Sequence, residues 1–275
     1  MKRFIMYLSL FVLCVAFSSA SIAAASVADM KNVPIFMYHS LAGAGAETSV
    51  SADEFEADLR YLKENGYQAV TLSRLVDFVY HAAPLPENPV VLTFDDGYYN
   101  NLAVGLPLAQ RYQMPIVVSV IGKDTEIWSE NPAEHMRYGH LTWAQIQEMA
   151  QSGYAEIANH TWDLHKNENG RKGIRIRAGE SSAQYRAILQ EDVGKLQTKL
   201  QEHCGITPTA FVYPFGATCP EALEILQEMD FLLTLTCQDG ENQIKAGEPA
   251  CLYELNRCHR TAKRPVQIIL EEMQF

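Results

Sequence analysis

The sequence predicts a single α/β domain whose sheet is mainly parallel, either open or closed into a barrel, behind an N-terminal signal segment. Apolar runs typical of strands alternate with helical patterns along nearly the whole chain, and this order is typical of parallel sheets. No linker rich in Gly, Ser or Pro divides residues 26–275, whose length suits one large domain. In such folds the chemistry lies at the C-terminal ends of the strands.

The individual elements follow from capping residues and from the spacing of apolar side chains. Ser51 with Glu54, and Thr142 with Gln145, match capping boxes, in which two side chains satisfy backbone N–H groups at the start of a helix. Strands are predicted over residues 33–37, 69–70, 89–94, 115–121, 155–159, 209–213, 231–236 and 252–256. Helices are predicted over residues 52–65, 72–81, 101–112, 143–153 and 182–203, and from Pro220 onwards.

Residues 1–25 form a secretory signal pattern. Lys2 and Arg3 precede an apolar stretch over 4–17, and small residues over 18–25 offer cleavage sites. The Ser and Ala residues favour cleavage over the alternative, an uncleaved membrane anchor. We therefore expect a secreted or extracytoplasmic protein with its functional domain over 26–275.

The net charge argues about binding partners, and the cysteine count argues about disulfide bonds. The formal net charge is −11, and removing Lys2 and Arg3 with the leader makes it −13, which argues against nucleic acid as a partner. Nothing in the sequence identifies a protein partner. An odd number of cysteines remains, so at least one lacks an intrachain disulfide partner. The five remaining cysteines are Cys204, Cys219, Cys237, Cys251 and Cys258. The sequence leaves open whether any of them form disulfides or whether they are buried thiols.

Two clusters at predicted strand ends carry the candidate chemistry. Asp95 and Asp96 follow one strand, and His160 and His165 follow another. An isolated Asp pair is often a turn or a helix cap, and a lone His is often structural. Histidines five apart do not share a helix face, so we expect them on a strand end and the loop after it. Together the clusters offer three metal ligands and one free carboxylate base, with Asp163 as a candidate to orient an imidazole.

The two clusters resemble the first and second motifs of NodB-homology polysaccharide deacetylases, carbohydrate esterase family 4. That family carries T-F-D-D-G and then H-[ST]-spacer-H, and both motifs occur here in order after strands. The resemblance runs from about Val33 to the end and implies a distorted (β/α) barrel. It implies that Asp95 is the catalytic base and that a divalent metal, Zn²⁺ with Co²⁺ or Ni²⁺ as alternatives, is bound by Asp96, His160 and His165.

A third motif of the family is similar to residues 212–216. By the resemblance, a backbone N–H of Phe215 helps to form the oxyanion hole, and the side chains of Tyr213 and Phe215 wall the sugar site around Pro214. Trp162 lies between the two histidines, and its indole either lines a sugar subsite or packs against the barrel.

The chain departs from the common family pattern at three points. The histidines are five apart rather than four, which is similar to the branch that deacetylates poly-β-1,6-N-acetylglucosamine. Val212 replaces the arginine that usually braces the base, and Arg257 is a candidate substitute. The C-terminal leucine–histidine motif is missing, so the resemblance assigns the general acid to His39, at the end of the first strand. The alternative is that His39 only braces the loop over 40–49.

Residues 166–177 carry five basic side chains against the single acid Glu168. A charge run of this kind usually solvates a surface loop. The alternative is a contact with an anionic polymer beside the site.

The sequence therefore predicts a metal-dependent hydrolase that removes acetyl groups from an N-acetylglucosamine-containing polysaccharide. No G-x-S-x-G motif indicates a covalent acyl-enzyme. Two alternatives remain: an O-acetyl esterase of the acetyl-xylan type, which needs the same parts, and a catalytically silent carbohydrate-binding protein on the same scaffold.

Overall fold

The structure, a computed structural model, describes residues 30–43 and 48–273. The predicted signal segment over 1–25 lies outside these residues. Among the described helices, none is long and apolar enough to cross a membrane. The strands are β1 Met30–Asn32, β2 Ile35–Tyr38, β3 Tyr67–Ala69, β4 Asn88–Phe94, β5 Ile116–Val120, β6 Ala155–Asn159, β7 Asn167–Glu168, β8 Arg171–Lys172, β9 Ala210–Val212, β10 Leu233–Leu235, β11 Gln243–Lys245 and β12 Cys258–His259.

Helices separate most of the parallel strands. They are α1 Ala52–Glu64, α2 Leu72–His81, α3 Leu106–Tyr112, α4 Gly122–Glu130, α5 Trp143–Gln151, α6 Ser182–Cys204, α7 Pro220–Glu228 and α8 Val266–Met273. A π-helical turn over Asn101–Gly105 leads into α3. The predicted capping boxes are present at Ser51 and Thr142, where each cap accepts a backbone N–H and the third helical residue returns a side-chain bond.

The main sheet is a distorted parallel barrel, and the predicted α/β architecture is confirmed. Its strands are hydrogen-bonded in the order β10-β9-β6-β5-β4-β2-β12, while β3 pairs with the start of β4. Leu255 forms a parallel bridge to Leu235 of β10. Residues 255–259 therefore link the two edges of the sheet, β10 on one side and β2 on the other.

The last strand differs from the prediction. A 3₁₀ turn at Pro249–Leu252 and a left-handed backbone at Glu254 (φ 57°) interrupt the expected strand over 252–256. The strand forms later, at Cys258–His259. Proline and a positive φ are both poorly compatible with a continuous ladder. Helices α4 and α8 and the short strands β1, β7, β8 and β11 were not predicted.

Alternating side chains along the strands build two apolar layers. On β4, Val90, Leu92 and Phe94 pack outward against the helices. Val91 packs inward, in a cluster that includes α2 and residues from β2, β5, β6, β9 and β10. The side chain of Asp95 therefore continues the inward row at the end of β4. The cysteines of the described residues are all free thiols.

Candidate metal centre and its catalytic neighbours

The turn after β4 separates two adjacent carboxylates. Asp95 is 2% exposed and continues the inward face of the strand. Asp96 adopts a left-handed backbone (φ 72°), which Gly97 continues (φ 67°). A Cβ on Gly97 would lie 3.0 Å from a methyl carbon of Val120, so the tight turn favours glycine both by space and by backbone conformation. The turn therefore points the two carboxylates in different directions.

Asp96, His160 and His165 come together at the C-terminal end of the sheet. The Oδ1 atom of Asp96 lies 3.7 Å from Nε2 of His160 and 3.5 Å from Nε2 of His165. All three candidate ligand atoms lie within 4.8 Å of one another. The buried Oδ1 atom of Asp96 accepts no hydrogen bond. A buried, unpaired carboxylate oxygen facing two imidazole nitrogens fits a divalent metal, because it needs a cation to offset its burial.

His160 is held in the tautomer that a metal ligand needs. Its Nδ1 lies 2.8 Å from the backbone oxygen of Val212, which can only accept, so Nδ1 carries the proton and Nε2 faces Asp96. Burial lowers the pKa of His160 to about 4, although Asp95 and Asp96 act in the opposite direction. The ring is therefore neutral at pH 7, as ligation requires.

A residue that the sequence analysis missed shapes the loop between the histidines. The carboxylate of Asp192, on α6, accepts the backbone N–H groups of Trp162 at 2.8 Å and Asp163 at 2.9 Å. Thr161 adopts a left-handed backbone (φ 73°), and its N–H bonds the side chain of Asn159 at 2.9 Å. These contacts fold the loop back, so the rings of His160 and His165 lie 4.9 Å apart.

Asp95 is paired with Arg257. Nη1 and Nη2 of Arg257 each donate a hydrogen bond to one oxygen of Asp95, both at 2.7 Å, and Ser119 donates another at 2.8 Å. Burial alone would raise the pKa of Asp95, but Arg257 outweighs it. With smaller contributions from His160 and His39, the guanidinium holds the pKa of that carboxyl well below its usual range. Asp95 is therefore ionised.

Every N–H of the buried Arg257 guanidinium has a partner. Besides the two bonds to Asp95, it donates to the backbone oxygen of Thr236 at 2.6 Å, to Oγ1 of Thr93 at 3.1 Å and to Sγ of Cys237 at 3.5 Å. An arginine has five N–H donors in a rigid fork, so these contacts fix its position. The residue named from the sequence as the candidate brace thus lies against Asp95.

His39 follows β2, whose end is the neighbour of the end of β4. The backbone N–H of Asp95 bonds the oxygen of Tyr38 at 3.0 Å, and Asn101 bonds the backbone oxygen of His39 at 2.9 Å. The imidazole Nδ1 of His39 is buried and has no hydrogen-bond partner. Its ring lies 5.7 Å from that of His259, on β12. No motif in the sequence indicated a role for His259.

The third motif places one of its aromatic residues at the site and buries the other. Phe215 is 40% exposed, and its ring lies 4.3 Å from that of His165. Tyr213 is fully buried and packs against Phe211. The prediction that its side chain walls a sugar site is therefore wrong, because Val212 occupies the inward position of β9 and Tyr213 faces the helices. Pro214 is also buried.

Two residues of the second motif make structural contacts, which contradicts the prediction for Asp163 and agrees with one of the two alternatives for Trp162. Asp163 pairs with Lys123 at 2.8 Å and Lys166 at 2.7 Å, so it does not orient an imidazole; the Val212 carbonyl does this for His160. The indole of Trp162 packs where a Cβ on Gly122 would collide with it at 2.4 Å, and Lys195 covers its face at 3.9 Å. The packing alternative describes Trp162 better than a sugar subsite.

The basic stretch over 166–177 forms the β7–β8 hairpin beside His165, and much of its charge is paired. Arg171 is buried and bonds Glu180 at 2.5 Å, and Arg177 lies 3.6 Å from the same carboxylate. Lys172 is exposed and lies 5.9 Å from the centre of the Phe215 ring. The pairing favours a structured surface hairpin over a dedicated anion site.

The fold and the site together define the class of the protein. A parallel barrel carries two imidazoles and one carboxylate as candidate metal ligands, and a braced aspartate lies beside them. The family model for polysaccharide deacetylases matches residues 82–233. The chain belongs to this family.

Individual relatives agree with that assignment. The chain is 30% identical over 220 residues to the poly-β-1,6-N-acetyl-D-glucosamine N-deacetylase of Escherichia coli K12, covering 70% of this chain and 31% of that protein. IcaB from Ammonifex degensii is 25% identical, with a TM-score of 0.73 over 86% of this chain and 95% of that one. A de-N-acetylase from Aggregatibacter actinomycetemcomitans, 24% identical, shares the fold with a TM-score of 0.73 over 88% and 99% of the two chains. The chain thus spans about a third of the length of the E. coli relative.

Proposed function

We propose that this chain is a metal-dependent N-deacetylase that removes acetyl groups from a polysaccharide containing N-acetylglucosamine. The observation that carries the proposal is the position of the braced Asp95 directly beside the cluster of Asp96, His160 and His165. Hydrolysis by water needs a base and a metal site with an open position, and an ionised carboxylate next to this set of candidate ligands provides both. The family and the names of the relatives support an acetamide on a sugar polymer as the bond that is cleaved.

Asp96, His160 and His165 would hold the metal, with zinc expected and cobalt or nickel as alternatives. When bound, such an ion polarises the acetyl carbonyl and lowers the pKa of the attacking water. The protein prepares for it by keeping His160 neutral and turning its Nε2 towards Asp96. Asp192 keeps His165 close to His160 by holding the loop between them.

Asp95 takes the proton from the attacking water. Arg257 keeps the carboxylate ionised and fixes its plane, so proton transfer depends on position more than on a high pKa. Phe215 contributes a backbone N–H to the developing oxyanion, a role that its left-handed backbone (φ 57°) beside His165 supports. His39 gives a proton to the departing amine, so acetate and a glucosamine amine are the products.

The polymer that we propose is poly-β-1,6-N-acetylglucosamine or a related cell-surface polysaccharide. The five-residue spacing of the two histidines and the name of the E. coli relative support this choice. Such a polymer lies outside the cytoplasm, and the signal pattern over 1–25 supports a secreted or extracytoplasmic enzyme.

The test is acetate release from poly-N-acetylglucosamine, peptidoglycan, chitooligosaccharide and acetyl-xylan, each with and without a chelator. We expect the fastest release from poly-N-acetylglucosamine, its loss with the chelator and its return with added Zn²⁺ or Co²⁺. Faster release from acetyl-xylan would assign the chain to O-acetyl esterases. No release from any substrate by metal-loaded protein, together with retained polymer binding, would indicate a silent carbohydrate-binding protein.

A further inference from the structure

The backbone of His39 is held by a hydrogen bond, but its ring is not. Asn101 donates its side-chain N–H to the backbone oxygen of His39 at 2.9 Å. Within residues 30–43 and 48–273, the buried Nδ1 of His39 has no hydrogen-bond partner. His160 differs, because the oxygen of Val212 lies 2.8 Å from its Nδ1 and fixes the ring. The torsion that sets the plane of an imidazole is broad, so the ring of His39 needs a neighbour to orient it.

That neighbour is His259, on β12. The centres of the His39 and His259 rings are 5.7 Å apart, and their planes are tilted by 57°. Strand β12 pairs in parallel with β2, and His259 lies opposite Met37, two positions before His39. Both histidines are half-buried. The two imidazoles therefore come from adjacent strands and meet at the same end of the sheet.

His259 faces the same side of its strand as Arg257, which braces the proposed base. The side chain of Cys258, between them, packs in the outer apolar layer. Arg257 points the other way and bonds Asp95 inside the barrel. Because side chains alternate along an extended chain, His259 also points towards the interior. One short segment thus contributes the brace of Asp95 and the ring beside His39.

The backbone around His259 is itself held on both sides. Oδ1 of Asp239 accepts the backbone N–H of His259 at 3.2 Å. Nη1 of Arg264 bonds both oxygens of Asp239 at 2.9 Å and lies 3.5 Å from the backbone oxygen of His259. The next residue, Arg260, donates its backbone N–H to the oxygen of Met37 at 3.0 Å. His259 therefore offers a fixed wall to the ring of His39.

We propose that His259 is a positioning residue, whose ring holds the imidazole of His39 in the orientation from which it protonates the departing amine. This inference rests on the proposed function. His259 acts through His39 rather than on the sugar. General acid catalysis requires the donor to lie within hydrogen-bond reach of the leaving atom, and small misplacements of a reacting group are costly. Loss of the His259 ring should therefore affect the step in which the amine departs.

The first test compares two leaving groups, using metal-loaded protein. We measure kcat on an oligosaccharide of poly-N-acetylglucosamine, whose amine must be protonated, and on 4-nitrophenyl acetate, whose phenolate needs little help. The ratio of the amide kcat to the ester kcat should fall about tenfold in His259→Ala, with KM for the oligosaccharide unchanged. His259→Asn, which keeps a polar side chain but no ring, should show the same fall and serves if His259→Ala does not fold. His81→Ala, at an exposed histidine on α2, should leave the ratio unchanged, and an unchanged ratio in folded His259 variants would overturn the proposal.

A double-mutant cycle separates an effect through His39 from an independent one. In His39→Ala there is no imidazole left for His259 to hold. Adding His259→Ala to that variant should therefore lower the amide-to-ester ratio by less than about twofold more. Independent effects would multiply, so a further fall of about tenfold would show a separate role for His259 and overturn the proposal.

The last test observes the ring of His39 directly, in metal-free protein without substrate. Crystal structures should show one orientation of this ring in the parent protein and more than one in His259→Asn. Several orientations in the parent, or the same single orientation in the variant, would contradict the proposal. If the metal-loaded parent releases no acetate, the proposed function fails, while the orientation of the His39 ring still decides the role of His259.

Discussion

Arg257 and Asp95 form a buried bidentate pair, with both N···O distances at 2.7 Å. Arg257 precedes the last strand of the barrel, and Asp95 follows β4 near its middle. Neither charge is tolerated alone at full burial, because an uncompensated buried ion costs several kcal/mol. The orientation of the proposed base therefore depends on residues that close the barrel.

Replacing Arg257 by lysine should separate orientation of the base from stability of the fold. Lysine keeps the charge but loses the fork, so we expect kcat to fall about 10²-fold, as small misplacements can cause. The matched control is Arg260→Lys, in the second buried pair, where Arg260 bonds Asp58 at 2.7 Å in the outer layer. Both variants should lose about 1–3 kcal/mol of unfolding free energy, but only Arg257→Lys should lower kcat. Equal losses of kcat in the two variants would show that the effect is one of stability.

Replacing the two adjacent aspartates should have different effects. Asp95→Asn should leave metal affinity nearly intact and lower kcat by ~10²–10⁴-fold, as loss of a general base does. Asp96→Asn should weaken metal binding instead. Calorimetric metal titration and acetate release measure the two effects, and full activity in Asp95→Asn would contradict its role.

The role of His39 can be tested through the leaving group. An amide nitrogen must be protonated to depart, whereas the phenolate of an aryl acetate needs little help. His39→Ala should therefore lower the rate on the N-acetyl substrate much more than the rate on 4-nitrophenyl acetate. Equal losses on both substrates would mean that His39 only braces the loop after β2.

Metal addition should order the candidate ligands around one ion. With zinc, a crystal structure should place the His160 and His165 nitrogens at ~2.0–2.1 Å and an Asp96 oxygen at ~2.0–2.2 Å from it. His165→Ala should lower metal affinity, while Phe215→Ala, which removes the neighbouring ring, should change it little. An ion bound elsewhere with His165 turned away would refute the assignment.

A half-buried carboxyl remote from the metal centre, that of Glu156, should make stability depend on pH. Burial raises the pKa of Glu156 to about 7, and the negative charge of Asp77 adds to the rise. Hydrogen bonds from the start of α2 act in the opposite direction, because both oxygens of Glu156 accept the backbone N–H of Ser73 at 3.2 Å. Between about pH 4.5 and 7 the folded state keeps a proton that the unfolded state has lost, so stability falls as the pH rises through this window.

Urea unfolding of metal-free protein at about pH 5 and about pH 8 measures this dependence. The wild type should lose more stability across the interval than Glu156→Gln. Glu168→Gln, on the exposed hairpin, should behave like the wild type. The same loss in wild type and Glu156→Gln would show that Glu156 titrates normally.

The direction in which a side chain points could be predicted from the sequence where side chains alternate along a strand. Val91 and Asp95 share one face of β4 because they are an even number of positions apart, which brings Asp95 into the barrel. The same alternation explains why the predicted position of the Tyr213 side chain in the sugar site was wrong. Since Val212 faces inward on β9, the residue after it must face the helices.

Contacts between residues that are far apart in the sequence were harder to predict from the sequence. Asp192 lies 30 positions from Trp162, whose N–H it accepts, and no local pattern on α6 distinguishes it from a solvent-facing acid. Asp163 was the nearer choice in sequence, but two lysines neutralise it. Arg257 could be named only because the usual arginine is replaced by Val212, and its geometry became clear from the barrel.

The bridge between Leu235 and Leu255 has a consequence for the order in which the protein matures. Asp95 and Arg257 are 162 positions apart, so their contact requires nearly the whole barrel to be synthesised and joined. A nascent chain that has folded through β9 already carries Asp96, His160 and His165 together with Asp192 and the Val212 carbonyl that position the histidines, whereas Arg257 has yet to join it. Assembly of the candidate metal ligands and bracing of the proposed base are thus separate events, and the second waits for the emergence of residues 255–260.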